Sequence, residues 1–596
     1  MNKIQGNRKR TLSRRAFIKN AAALGALAAT DPSGLLSSQS GPSQGNLQDA
    51  LLSSEFRCGY DPQYFEATER VFFEEFHKGY INLFIKPTQS LDIRLYVAET
   101  KDGLYKKNPL RLSGASNCVD IPLENIYSPE LHYKVEYMDG KSWKSFEERS
   151  VKTPSMALES GGTFKVILKG DDHIYADLKH HPEDPGWRKD MLRGDYIFKM
   201  LRGIIADPDY SPDIPLHKVI YGFTLAHTLK YIMESKPDLV IDLGDTVGQD
   251  SYAIWGELGE WEELMPKDSL IRQNKILWER KRRTINALTP NMAYYQVLGN
   301  HDGETGWFTD TQPFTQPYAK AQRKRLFRQP EALRMFEKVR LNSGLIDGRY
   351  TNDDWLFNNT DQNYFPVFWA NGDIRFFLLD VNSYLQTKPK TIYDWTLGPK
   401  QRAHIEAMLF DGQNDPWKFI CYHNAVGGYP LGSGVHPGSY GRGPLLTRED
   451  YERINEIDPN IQIDPDKVEQ VWLADLAKDA ELRGFFYAHD HIYFDKNIGK
   501  TNLGKDMIGA CVGATIFSGA YFAGKIWENP YWADFYGSIE DDPPKFFTPP
   551  GLTEMEIDKN GATIKYVCTA PPEIMFANMP EGTKPGDVLR ESWISR

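Results

Sequence analysis

Tyr294-Tyr295-Gln296-Val297-Leu298-Gly299-Asn300-His301-Asp302 is the stretch that decides how this chain reads. An apolar strand that stops at a glycine and then presents an amide, an imidazole and a carboxylate delivers polar groups to the rim of a sheet, where α/β folds bind ligands. Four other strand-like runs end in the same manner, in Asp171-Asp172-His173, Gly244-Asp245, His423-Asn424 and His489-Asp490-His491. Together they supply carboxylate, amide and imidazole groups in a number that suits two metal ions.

The strands that carry these ends alternate with helical patterns. An apolar run at 164–168 opens onto Asp171, a helical stretch at about 223–234 precedes the strand ending in Asp245, and a helical region at about 274–287 leads into Tyr294. Two more core strands are read at 374–380 and 417–423. Strand, helix, strand in this order predicts an α/β core. Residues 302–362, with a basic helix at 319–338, read as an insertion near the site, and the glycine-rich loop at 423–448 reads either as a shaper of substrate access or as flexible surface filler. A hairpin is expected at 554–567 around Lys559-Asn560-Gly561.

Upstream the pattern changes. Period-two runs at 80–85, 91–97, 132–137 and 146–151, separated by turn signals such as Lys101-Asp102-Gly103, predict a small antiparallel β-sandwich within residues 55–153. Residues 30–54, rich in Ser, Gly, Gln and Pro, read as a flexible linker. Before them, a basic segment runs through Arg14-Arg15-Ala16-Phe17-Ile18-Lys19 into a short apolar core, and this resembles a bacterial twin-arginine export signal over residues 1–29. That apolar run is too short to cross a bilayer, which takes about 20 residues. The expectation is therefore a periplasmic or secreted protein that engages the twin-arginine export machinery without stable membrane insertion.

Composition narrows the partners. A length of 596 residues exceeds one compact core. The signal carries seven of the 70 basic residues and no acids, which leaves 63 basic against 81 acidic side chains, a net charge of −18. So acidic a body is a poor partner for nucleic acid or anionic lipid, and attraction for a phosphorylated substrate has to be local, as bound cations would make it. Five scattered cysteines exclude a disulfide scaffold and a CxxC zinc module, while a bridge between Cys58 and Cys118 stays open.

Asp171 and His173 stand two apart, as do His489 and His491, so in an extended chain each pair would face one side and could enter one cluster. Asp245 can bridge two ions through its two oxygens, and Asn300 adds a neutral oxygen. His301 faces away from Asn300 on an extended chain, which leaves its imidazole for proton transfer, with Asp302 either orienting the ring or capping a turn. His180, His181 and His227 belong to no such pattern and read as a loop pair and a helix-packing histidine.

With these motifs in this order, the chain resembles the calcineurin-like metallophosphoesterase superfamily over roughly residues 163–568. The resemblance implies a four-layer α/β/β/α sandwich for residues 163–596, with insertions and a C-terminal extension, preceded by the small all-β sandwich of fibronectin or immunoglobulin type. It also implies that Asp171, His173 and His491 hold one metal, that Asn300, His423 and His489 hold a second, and that Asp245 bridges them. Manganese, iron, zinc and cobalt all suit such mixed nitrogen and oxygen donors. The implied activity is hydrolysis of phosphate mono- or diesters of a small molecule by metal-activated water, with His301 and Asp302 at the leaving group. Purple acid phosphatases have a glycine where His173 stands and a tyrosine where Gly248 stands, so a tyrosine-ligated ferric ion is not expected. Ala488 stands where the superfamily's last motif carries a glycine. The alternative from another class is an exported binding protein with a structural metal site and recognition through the sandwich.

Overall fold

A computed structural model of the protein describes residues 68–75, 78–84, 91–103, 108–115, 118–138, 142–155, 158, 161–173, 216–245, 284–299, 364–381, 383–384, 395–410, 416–425, 445–457, 462–515, 545–570, 580 and 582–596. The expected export signal, the linker, the helix at 319–338, most of the glycine-rich loop, His180, His181, Cys58, and the trio Asn300, His301 and Asp302 lie outside the described residues, as does the side chain of Cys118.

The first eight strands are β1 (Thr68–Glu75), β2 (Lys78–Phe84), β3 (Leu91–Ala98), β4 (Leu110–Ala115), β5 (Cys118–Glu124), β6 (Glu130–Met138), β7 (Trp143–Ser145) and β8 (Arg149–Lys152). They make two antiparallel sheets, β1-β2-β5 and β4-β3-β6-β7, with β8 also on β6. Strict alternation is clearest in β6, where Leu131, Tyr133, Val135 and Tyr137 are buried and the residues between them are not. The strand expected at 146–151 is shorter, β8 at Arg149–Lys152, with the separate β7 at Trp143–Ser145 before it. Phe146 N still donates to Val135 O of β6 at 2.9 Å, and its ring packs against Tyr137 at 5.2 Å between centroids.

The remaining strands are β9 (Phe164–Lys169), β10 (Leu239–Asp242), β11 (Ala293–Gln296), β12 (Phe365–Trp369), β13 (Ile374–Leu378), β14 (Ser383–Tyr384), β15 (Trp395–Thr396), β16 (Trp417–Cys421), β17 (Gly484–Tyr487), β18 (Tyr493–Lys500), β19 (Asp506–Val512), β20 (Phe546–Phe547), β21 (Gly551–Ile557), β22 (Gly561–Cys568) and β23 (Val588–Ser595). Among the described residues the α-helices are α1 (Leu216–Ser235), α2 (Gly398–Leu409), α3 (Arg448–Ile457) and α4 (Glu469–Asp479). Six strands form a mixed sheet in the order β11-β10-β9-β21-β22-β23, with β9, β10 and β11 parallel. Seven form a second mixed sheet, β12-β13-β16-β17-β19-β18-β20, with β13, β16, β17 and β19 parallel. The expected hairpin is β21 and β22, joined at Lys559-Asn560-Gly561.

Alternation along the strands explains how the layers meet. Phe164, Val166 and Leu168 of β9 share one apolar cluster with Ile374, Phe376 and Leu378 of β13 and with Trp417, Phe419 and Cys421 of β16. The intervening Phe377, Ile420, Phe485 and Tyr487 join a second cluster with Ile405 and Leu409 of α2 and Leu473 and Ala477 of α4. The two large sheets thus face one another, and α2 and α4 cover the far side of the seven-stranded one. Side chains of both N-terminal sheets belong to the first cluster. Polar bonds reinforce this docking. Tyr295 donates its hydroxyl to Phe73 O at 2.8 Å and accepts from Phe73 N at 3.0 Å, Tyr133 donates to Pro290 O at 2.8 Å, and Lys152 pairs with Asp238 at 2.6 Å. Among the described residues, no helix is long and apolar enough to cross a membrane.

Candidate metal centre

Strands β9, β10, β16 and β17 release their chains at one rim, where the polar ends of the motifs collect. Asp171, His173, Asp245 and His491 bring donor atoms within 4.8 Å of one another, and so do Asp245, His423 and His489. Asp245 belongs to both groups. All six side chains are buried, none more than 6 % exposed.

The local backbone differs from the extended arrangement expected from the two-residue spacings. Asp171, His173, Asp245, His489 and His491 have φ of 57°, 41°, 51°, 72° and 57°, a left-handed conformation that costs non-glycine residues roughly 1 to 3 kcal/mol each. Asp171 and His173 enter one donor group, whereas His489 and His491, expected to share a cluster, divide between the two, because left-handed turns rather than strand alternation aim these side chains. Hydrogen bonds between the turns hold this geometry: Asp171 N to Gly244 O and His173 N to Asp245 O, both 2.9 Å, and His489 N to Asp171 Oδ2 at 3.0 Å. Glycines permit the close approach. A Cβ at Gly299 would overlap the backbone nitrogen and Oδ1 of Asp245, and a Cβ at Gly170 would lie 2.7 Å from the Cβ of Ala488. Gly170 therefore makes room for the alanine that precedes the last motif.

Distances within the cluster suit cation binding. His423 Nδ1 lies 2.9 Å from Leu243 O, and since a carbonyl only accepts, Nδ1 carries the proton and Nε2 the lone pair. That Nε2 faces Asp245 Oδ2 at 3.1 Å, two acceptors that a positive charge between them would reconcile. Across the cluster His173 Nε2 is 3.1 Å from His491 Nε2, and Asp171 Oδ1, which takes no hydrogen bond, is 3.2 Å from His491 Nε2. Burial, offset in part by His423 and His173 and assisted by the Asp245 charge, pushes the Asp171 carboxyl up to about 7. Cations at this place would reverse that shift. The donor set is thus chemically fit for two metal ions.

Sequence reasoning missed the groups behind the donors. Asp172, between two candidate ligands, turns its carboxylate away to Lys169 and Thr515 at 2.5 and 2.6 Å. Lys169 itself is fully buried, and its one sequence signal is a lysine closing an apolar strand. Asn424, next to His423, is buried and its amide takes no hydrogen bond, as befits a group that meets a ligand. His227 is a buried helix residue of α1, as expected.

No protein-family model matches the sequence, and no curated protein matches it. Among solved structures the chain is similar to a purple acid phosphatase from yellow lupin (Lupinus luteus) seeds, at TM-score 0.47 and 12 % identity over 89 % of this chain and 74 % of that one. It is similar to PhoD at TM-score 0.47 and 10 % identity, over 91 % of this chain and 90 % of that one. A dimetal phosphatase from Danio rerio matches at TM-score 0.30 and 11 % identity, over 68 % and 96 % of the two chains. Two of these are phosphatases by name, and at such scores the likenesses carry no inference about chemistry, which this chain's own residues must supply.

Proposed function

We propose that the protein is a dinuclear metallophosphoesterase of the calcineurin-like kind that hydrolyses phosphate mono- or diesters. The observation that carries this reading is the Asp245 carboxylate common to two donor clusters, an arrangement a single structural ion does not need. Asp171, His173 and His491 would hold one ion, His423 and His489 with Asn300 the other, and Asp245 would touch both. Manganese, iron, zinc or cobalt ions suit these donors. Two ions held by these residues would supply Lewis acidity toward phosphoryl oxygens and a bound water.

The chain's residues do the rest. The Leu243 carbonyl holds the His423 ring in the tautomer that presents Nε2. Burial keeps bulk water from the donors, so charges placed on a substrate phosphate act at low dielectric. His301 would give a proton to the departing alkoxide, with Asp302 orienting its ring. The finer architecture in this reading is a four-layer α/β/β/α sandwich at residues 163–596 behind a fibronectin- or immunoglobulin-like sandwich at 55–153. The segment 1–29 would send the folded enzyme through the twin-arginine machinery to the periplasm or medium. There it would meet phosphorylated small molecules rather than nucleic acid.

The test is metal analysis of the purified protein followed by turnover of p-nitrophenyl phosphate and bis(p-nitrophenyl) phosphate. Two ions per chain and hydrolysis of at least one ester are expected. Metal bound without turnover of either ester would instead favour a structural site.

A further inference from the structure

Behind the two donor clusters lies a buried ionic chain, Asp172-Lys169-Asp242, whose members are not among the candidate ligands. Leu168, Ile241 and Tyr295 point into the core between the sheets, so their neighbours Lys169, Asp242 and Tyr294 share the opposite face of the six-stranded sheet. Lys169 stands directly opposite Asp242 in the β9–β10 register. Its Nζ lies 2.8 Å from Asp242 Oδ2 and 2.5 Å from Asp172 Oδ2, and all three side chains are at most 1 % exposed.

Each end of this chain grips a ligand turn. Asp172 sits between Asp171 and His173, and its other oxygen accepts from Thr515 Oγ1 at 2.6 Å. Asp242 accepts from Gly244 N at 3.2 Å through Oδ1 and from the Tyr294 hydroxyl through Oδ2. One ammonium thus ties the turn of Asp171 and His173 to the turn of Asp245. Those three residues hold left-handed φ of 57°, 41° and 51°, which persists only where the surroundings over-determine it. The carboxylates of Asp172 and Asp242 are also kept out of the donor clusters, because the ammonium claims them.

We propose that Lys169 is a positioning residue of the metal centre, whose ammonium, clamped between Asp172 and Asp242, sets the spacing of the two ligand turns and hence of the two ions. The inference rests on the dinuclear reading above. A buried ion pair that served stability alone would be replaceable by neutral groups of the same shape. A positioning clamp would not, since neutral groups lack the force that draws both carboxylates to one point.

Three variants of the full chain separate these roles: Lys169→Met, Lys169→Arg, and Lys169→Met combined with Asp172→Asn and Asp242→Asn. The measurements are calorimetric titration of metal-depleted protein with manganese or zinc alone, melting in chelator, and kcat and KM on p-nitrophenyl phosphate. Lys169→Met should weaken at least one ion about 10- to 100-fold, the size of effect that loss of an orienting partner has elsewhere. It should lower kcat with little change in KM. The triple variant should be more stable in chelator than Lys169→Met, because no buried carboxylate is left without its cation, while metal affinity and kcat stay low. Should Lys169→Met not fold, Lys169→Arg, which keeps the charge in a longer and planar group, should show the same loss of affinity. Wild-type metal affinity in any folded variant lacking Lys169, or recovery of affinity along with stability in the triple variant, overturns the inference and leaves the dinuclear reading standing. A wild-type protein that binds no metal overturns both.

Discussion

Asp245→Asn removes one negative charge from a carboxylate whose Oδ2 lies 3.1 Å from His423 Nε2 and 3.8 Å from His173 Nε2. In metal-free protein the change relieves repulsion, since the Asp245 charge is among the causes that raise the Asp171 carboxyl. The variant should then be as stable as wild type in chelator, or more stable by on the order of 1 kcal/mol. With metal present the sign should reverse. Loss of a group that merely orients a ligand costs about 10- to 100-fold in metal affinity, so loss of a donor common to both clusters should cost ~100-fold or more per ion. At free metal about 100 times the wild-type Kd, binding stabilises by ~2.7 kcal/mol per site, and a hundredfold weaker site retains only ~0.4 kcal/mol. Summed over two sites, the variant forfeits roughly 5 kcal/mol of metal-dependent stability. Melting curves in chelator and in graded manganese or zinc, with elemental analysis of bound metal, measure both halves of the expectation. A variant that holds two ions and shows the wild-type rise in melting temperature refutes the shared-ligand assignment.

His301→Gln should keep both metals and the fold but slow hydrolysis about 10²- to 10⁴-fold for alkyl esters and much less for nitrophenyl esters, whose leaving group needs no proton; an equal loss for both classes removes the general-acid role. Gly299→Ala should drive a methyl into the Asp245 backbone and carboxylate, costing about 1 to 3 kcal/mol and weakening metal binding in calorimetry, and wild-type affinity in that variant would contradict the packing described. Burial lowers the His404 imidazole from its ordinary 6.5 to about 3, and burial with Lys230 nearby lowers His227 to about 4. Both therefore stay neutral in the folded protein while the unfolded chain takes up protons below pH 6.5, so their stability contribution is whole above 6.5 and is lost as pH falls toward 4 at ~1.4 kcal/mol per pH unit for each. His404→Phe should flatten the acid limb of denaturant-measured stability by that slope, and an unchanged slope places the acid loss elsewhere. Changing Arg14 and Arg15 together to Lys should leave the protein folded but retained in the cytoplasm on fractionation, whereas normal export would exclude the twin-arginine route.

The candidate donor residues could be singled out in the sequence because each sits where an apolar strand gives way to polar residues, and strands bury apolar side chains by a period of two that a reader can follow. Asp171, His173, Asp245, His423, His489 and His491 could be picked out this way, as could strands β9, β10, β11, β13 and β16 and the β21–β22 hairpin. Helices α2, α3 and α4 are not anticipated from the sequence, and α2 and α4 take their apolar contacts from the second cluster they join. What only the tertiary structure decided is how the motifs are joined. The two-residue spacings of Asp171 with His173 and His489 with His491 predicted extended chain, yet the residues are left-handed, and nothing within a tripeptide favours that cost. It is met by bonds to turns 70 to more than 300 residues away, from Asp171 N to Gly244 O and from His489 N to Asp171 Oδ2. Lys169 is the sharpest case: by itself it reads as a polar strand end, and only the register that sets it against Asp242, with Asp172 turned back beneath it, gives a buried ammonium two carboxylates to hold.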